Sequence, residues 1–189
     1  MERQPSGKVS LSRPSWLNAA LVAGRPSESV NRDMSDGLFS SESVIVDLQV
    51  GSQKQLFQEI ALRLISANGL DVSCRDIVAA AVERERLGST GVGNGVALPH
   101  ARIEGLDHVV AGFARLTEPM DFDSVDGRPV DLVAFLLAPA DAAGAHLRAL
   151  ARVSRQLRRE DKRSKLRAAP DALSVFTILS DETLATAAA

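Results

Sequence analysis

A single cysteine, Cys74, is all that the 189 residues contain. That scarcity excludes an internal disulfide framework and any cysteine-rich zinc site, and it fits a reducing cytoplasm. Long hydrophobic runs are missing too. No apolar stretch approaches the roughly 18 residues that cross a bilayer, so a membrane-embedded chain is not expected. Nor is there an excess of one charge: a formal net charge of −2 gives no footing for nucleic-acid binding driven by bulk charge. Internal repeats and low-complexity tracts are absent. What remains, 45% hydrophobic and 24% charged residues, is the composition of an ordinary globular protein, long enough for one domain with a sizeable core.

The first 33 residues differ from the rest, being rich in Ser, Pro, Asn and Arg, with five basic residues against three acidic ones. The weakly apolar stretch from Trp16 to Ala23 is interrupted by Asn18 and lacks a convincing cleavage site, which disfavours a signal peptide. A disordered leader over 1–37 is expected, with Met34 as an alternative translation start, and a flexible tail over 183–189.

Regular signals begin near residue 43. Val44–Val50 is β-branched and alternating, which predicts a strand. Ser52-Gln53-Lys54-Gln55 reads as a capping box for a helix carrying Leu56, Phe57, Ile60 and Leu64, closed by Asn68-Gly69. A second box, Ser73-Cys74-Arg75-Asp76, opens a helix with Ile77, Val78, Ala81 and Val82. Val96-Ala97-Leu98, Val109–Leu116 and Val130–Leu137 read as strands, the last apolar enough to be covered on both faces. Asp141 is placed to cap a helix on which His146, Leu150, Val153 and Leu157 fall on one stripe, opposite Arg148, Arg152, Arg155 and Arg159. Two short helical pieces follow. Strands and helices interleave without strict alternation, so the expected fold class is α/β, a mixed central sheet flanked by helices on both faces in three layers.

The most distinctive stretch is Ser89-Thr90-Gly91-Val92-Gly93-Asn94-Gly95-Val96-Ala97-Leu98-Pro99-His100. It is not a dinucleotide fingerprint, because it runs into a strand and a proline, and no Gly-Lys-Ser/Thr follows to make a P-loop. Its glycines could fold the backbone into an anion cradle; on spacing alone, a structural tight turn reads as well. Of the three histidines, His108 sits in a polar turn and reads as a surface residue. His146 alone reads more readily as a core histidine than as a functional one, and its spacing from His100 does not show that they meet. The histidine spacings match no zinc pattern, so no metal and no cofactor are expected. Arg84, on a helix rich in charge, reads by itself as part of a solvated salt-bridge face.

Together, the segments R-E-R-L-G-S-T-G-V-G-N-G-V-A-L-P-H at 84–100, P-V-D-L-V-A-F-L-L-A-P at 129–139 and H-L-R-A-L-A-R-V-S at 146–154 resemble the enzyme IIA domain of the fructose/mannitol/nitrogen class. These domains belong to the bacterial phosphoenolpyruvate-dependent phosphotransferase system. The resemblance covers 38–182 in the family's order, and the mixed sheet between helices agrees with it.

The resemblance implies that His100 is the phosphoryl acceptor, as tele-phosphohistidine, with HPr or its nitrogen-type counterpart as donor. It implies that His146 is the second active-site histidine and that Arg84 stabilises the phosphoryl group. It also makes Thr90, Gly91, Gly93, Asn94 and Gly95 the phosphate-binding loop. A stand-alone chain fits the nitrogen-type branch best: a cytoplasmic regulator whose targets include kinases or potassium transporters. The alternatives are a sugar-specific enzyme IIA serving a fructose or mannitol permease, and a binding module that never carries phosphate.

Overall fold

The computed structural model describes residues 37–181. The expected flexible tail, the Met34 start and all but Gly37 of the expected leader lie outside them. The chain runs β1 (Phe39–Leu48), α1 (Gln53–Asn68), α2 (Cys74–Arg86), β2 (Gly91–Gly93), β3 (Val96–Ala97), β4 (His100–Ile103), β5 (Val110–Met120), β6 (Val130–Pro139), α3 (Ala143–Arg158), α4 (Glu160–Ala168) and α5 (Ala172–Ser180). The sheet order is β1-β5-β6-β3-β2, with β4 also paired to β6. β5 lies antiparallel to β6, whereas β1 is parallel to β5 and both β3 and β4 are parallel to β6.

Strand β6 frames the molecule. Its side chains alternate between two cores: Val133, Phe135 and Leu137 join Leu56, Phe57, Ile60, Leu64 and Ile77 from α1 and α2. Leu132, Ala134 and Leu136 instead meet Val153, Leu157, Leu166, Val175 and Leu179 from α3, α4 and α5. A strand buried on both faces needs apolar residues at every position, which is why Val130–Leu137 carries only one charge, Asp131. The three-layer α/β/α arrangement expected from the sequence is therefore the arrangement found.

Local chemistry explains the boundaries. Ser52 caps α1, its side chain accepting from Gln55 N at 3.2 Å, and Gly69 closes the helix in the left-handed region at φ 62°. Asp171 caps α5 in the same way. Two expected caps are not made: Ser73 forms no side-chain cap bond on α2, and α3 starts from Ala142 rather than being capped by Asp141. Strand β1 begins at Phe39, five residues before the expected Val44. There Ser40 and Ser43 exchange side-chain bonds with each other's backbone N–H, and Ser43 Oγ donates to Ala111 O at 2.9 Å. Hydroxyls stand in for part of the ladder where its register shifts, so a polar sequence still pairs.

Gly112, in β5, lies beneath α1. A Cβ there would meet Ile60 Cγ2 at 2.8 Å and Leu64 Cγ at 3.3 Å, both in fully buried side chains. Gly112→Ala is expected to lower unfolding stability by about 1–3 kcal/mol through overpacking, read as an earlier midpoint in urea titration.

Candidate functional site

Three elements converge on one imidazole. Helix α2 ends at Arg86, so Arg84 stands in its last turn, where a cation complements the helix dipole. Its Nη1 donates to Gly88 O at 2.9 Å, which folds the side chain back over the helix end. Pro99 separates β3 from β4 along the same edge of β6, and its carbonyl accepts from Leu136 N at 3.0 Å. His100 thus enters β4 in register with Leu136. Ala101 and Ile103 point into the α1–α2 core, so His100 and Arg102 share the opposite face of β4, toward α3.

The His100 ring is held at both nitrogens. Arg84 Nε donates to Nε2 at 2.9 Å, and Nδ1 lies 2.9 Å from Leu98 O. A guanidinium only donates and stays protonated, so Nε2 must present its lone pair. The ring proton is then on Nδ1, donated to the Leu98 carbonyl. Burial depresses the His100 pKa below the ordinary imidazole value; the Leu98 carbonyl opposes this, and the charge of Arg84 adds to the lowering.

His146, on the inward stripe of α3, packs edge-on against His100 with ring centroids 5.1 Å apart and planes at 74°. It is only 6% exposed, and its Nε2 is buried with no hydrogen-bond partner. Burial also depresses its pKa, reinforced by His100, Arg102 and Arg84. Two neutral imidazoles therefore sit beside two arginines. Leu87 and Leu147, each next to a site element, are exposed by 80% and 66%.

The glycine-rich stretch is a hairpin. Asn94 and Gly95 take φ 57° and 78°, the left-handed pair of a type I′ turn, and join β2 to β3. Its tip lies level with the start of β6, Val96 pairing with Leu132 while His100 pairs with Leu136. Those two register positions are four residues apart along β6, about 13 Å of strand rise, and the tip lies beyond the first of them. The tip's groups are engaged there: Asn94 N donates to Asp126 at 2.8 Å, Arg167 donates to Asn94 O at 2.9 Å, and Arg167 pairs with Asp131. The structure thus does not bring Gly93, Asn94 or Gly95 to His100. Thr90 lies nearer, but its hydroxyl and its backbone N–H both go to the Glu85 carboxylate, at 2.6 and 2.9 Å. Sequence reading missed Glu85, the Leu98 carbonyl and Arg102. Only Arg102 had a signal, two residues beyond His100, and the strand β4 that puts both on one face was not among the expected elements. Among the described residues no group of three or more His, Cys, Asp or Glu side chains could hold a metal ion.

The family model for the phosphoenolpyruvate-dependent sugar phosphotransferase system, EIIA 2, matches residues 37–182. The chain belongs to this family. A nitrogen regulatory protein of Bradyrhizobium diazoefficiens is 43% identical over 143 residues, covering 76% of this chain and 92% of that protein. The crystal structure of nitrogen regulatory protein IIA-Ntr from Neisseria meningitidis superposes with a TM-score of 0.70 at 37% identity, covering 75% of this chain and 96% of the other. IIA mannitol from Escherichia coli, at 20% identity, has the same fold with a TM-score of 0.62, covering 74% and 97%. This EIIA chain is thus similar to nitrogen-type members, and no helix among its described residues is long and apolar enough to cross a membrane.

NMR titration is expected to give both His100 and His146 midpoints below the ordinary value of about 6.5. Arg84→Ala removes a like charge and admits water, and both effects favour the imidazolium. The His100 midpoint should therefore rise in that variant; an unchanged or lower midpoint would contradict this electrostatic picture.

Proposed function

We propose that this chain is a phosphohistidine carrier of the nitrogen-regulatory type, accepting a phosphoryl group on His100 Nε2 from HPr or its nitrogen-type counterpart. The observation that carries this reading is the paired restraint on the ring, Arg84 Nε at Nε2 and Leu98 O at Nδ1. It leaves one nitrogen a nucleophile and the other a fixed donor.

The step balances without moving a proton. The Nε2 lone pair forms the new N–P bond as the donor's N–P bond breaks, and that bond's electron pair returns to the donor imidazole. Nδ1–H stays on Leu98 O throughout. The phosphoryl group passes through a loose transition state whose charge spreads over its oxygens, so positioning and electrostatics do most of the work. Arg84 releases Nε2 and turns its fork to those oxygens. The buried, unpartnered Nε2 of His146 gains an acceptor in the same group. Burial lowers the pKa of both imidazoles, which favours the neutral, nucleophilic form of His100. Leu87 and Leu147 supply apolar contact for the incoming donor.

Regulation follows from the same chemistry. A phosphoryl group places negative charge amid Arg84, Arg102 and the apolar rim, so charged and uncharged forms offer different surfaces to a target protein. Kinases or potassium transporters are the target classes this reading favours; a sugar permease is the competing acceptor.

Incubation with phosphoenolpyruvate, enzyme I and HPr or its nitrogen-type counterpart should add one acid-labile phosphoryl group to the wild type by intact mass, and none to His100→Ala. Arg84→Ala should accept it about 100-fold more slowly. No mass gain with any donor would leave a binding module instead of a carrier.

A further inference from the structure

Glu85 follows Arg84 on α2, yet the two side chains diverge. Its carboxylate accepts from Thr90 N at 2.9 Å through one oxygen and from Thr90 Oγ1 at 2.6 Å through the other. The Thr90 carbonyl accepts from Leu98 N at 3.0 Å. The Leu98 carbonyl is the group 2.9 Å from His100 Nδ1. Three hydrogen-bonded steps, joined through the backbone of Thr90 and of Leu98, therefore connect the Glu85 carboxylate to the non-nucleophilic nitrogen of the ring. Thr90 and Leu98 are 4% and 5% exposed, which leaves little room for water to replace a missing link.

The placement of Glu85 is itself informative. An acidic side chain in the last turn of a helix faces the negative end of the dipole, and α2 carries basic residues on either side of it. Propensity and dipole alone would put a lysine or arginine there. Two charge-assisted bonds to one residue, about twice as strong as neutral ones, account for a carboxylate instead.

We propose that Glu85 is a positioning residue for phosphoryl transfer: through Thr90 and Leu98 it fixes the carbonyl that holds the His100 ring. It touches neither the donor nor the reacting atoms. Arg84 grips the nucleophilic nitrogen from one side of the helix end while Glu85 anchors the opposite nitrogen from the other. The end of α2 thus controls both. The hydroxyl of Thr90 serves this line as a donor to Glu85 instead of contacting the phosphoryl group. The inference rests on the carrier reading for its kinetic consequence, but its structural content can be read without any donor.

The test uses the full ¹⁵N-labelled chain with Glu85→Ala, Glu85→Gln and Thr90→Val, each checked for folding by circular dichroism. In the unphosphorylated protein, the His100 Nδ1–H resonance should exchange with water about tenfold faster in Thr90→Val, the effect of losing one hydrogen bond, and faster by at least as much in Glu85→Ala, which loses both bonds to Thr90. Glu85→Gln keeps an acceptor for Thr90 N and should retain most of the protection. Its His100 midpoint should nevertheless fall below the wild-type value, because a negative charge that favours the imidazolium is gone. Mere loosening of the site would admit water and move that midpoint up. Phosphoryl acceptance in Glu85→Ala should slow by about 10- to 100-fold. Should Glu85→Ala fail to fold, Thr90→Val decides by the same proton. Unchanged Nδ1–H exchange in the folded variants, or a raised midpoint in Glu85→Gln, would overturn the proposal. Failure of the wild type to accept phosphate would count against the carrier reading alone.

Discussion

A permanently charged guanidinium donating to an imidazole lone pair is the interaction on which the rest depends. Arg84 cannot accept, so its bond to His100 assigns the ring's proton to Nδ1 and its lone pair to Nε2. Everything around the pair serves that geometry. The end of α2 supplies Arg84, the Leu98 carbonyl accepts the hydrogen bond from Nδ1–H, and burial lowers the ring's pKa. A histidine free in solution would divide itself between tautomers; this one is held in one of them, with its pKa lowered by burial.

The fold makes the arrangement rigid by tying it to the most buried strand. β6 is covered on both faces and pairs along one edge with β3 and then β4, so the break at Pro99 displaces the chain without loosening it. Parity along β4 sends Ala101 and Ile103 into the α1–α2 core and leaves His100 on the side where α3 brings His146. The hairpin tip is fastened at the far end of the same edge by Asp126, Asp131 and Arg167. Two carboxylates around it make that end a poor place for an anion. The glycines are required by the turn: at Gly95 a Cβ would fall 2.5 Å from Arg167 and 2.6 Å from Asp131.

Much of this was legible in the residues. The nearly all-apolar run at 130–137, the cap at Ser52 with Gly69 and the stripe through His146 each followed from a local rule, and together they implied the layered mixed sheet. Other features were hidden because they rest on contacts distant in sequence. Asn94-Gly95 is a strong hairpin signal, yet three spaced glycines invited a reading as an anion cradle, and nothing local says which strand edge the turn will meet. The serines of β1 look like a loop until Ala111 supplies their partner. Ser73 and Asp141 have cap residue types without cap bonds, since propensity is overridden by how each helix enters. Glu85 reads as one more charge on a charged helix, and only the folded chain brings Thr90 to it. The meeting of His100 with His146 follows from no spacing; the family resemblance implied it, and the packing of α3 against the sheet brings the two rings together.

The most direct measurement is the identity of the phosphorylated nitrogen. With ¹⁵N-histidine in the chain and the phosphoryl group transferred enzymatically, phosphorus–nitrogen coupling reports which ring nitrogen carries it. The account predicts Nε2 of His100 alone, with Nδ1 still protonated. Coupling to Nδ1, or to either nitrogen of His146, would contradict it.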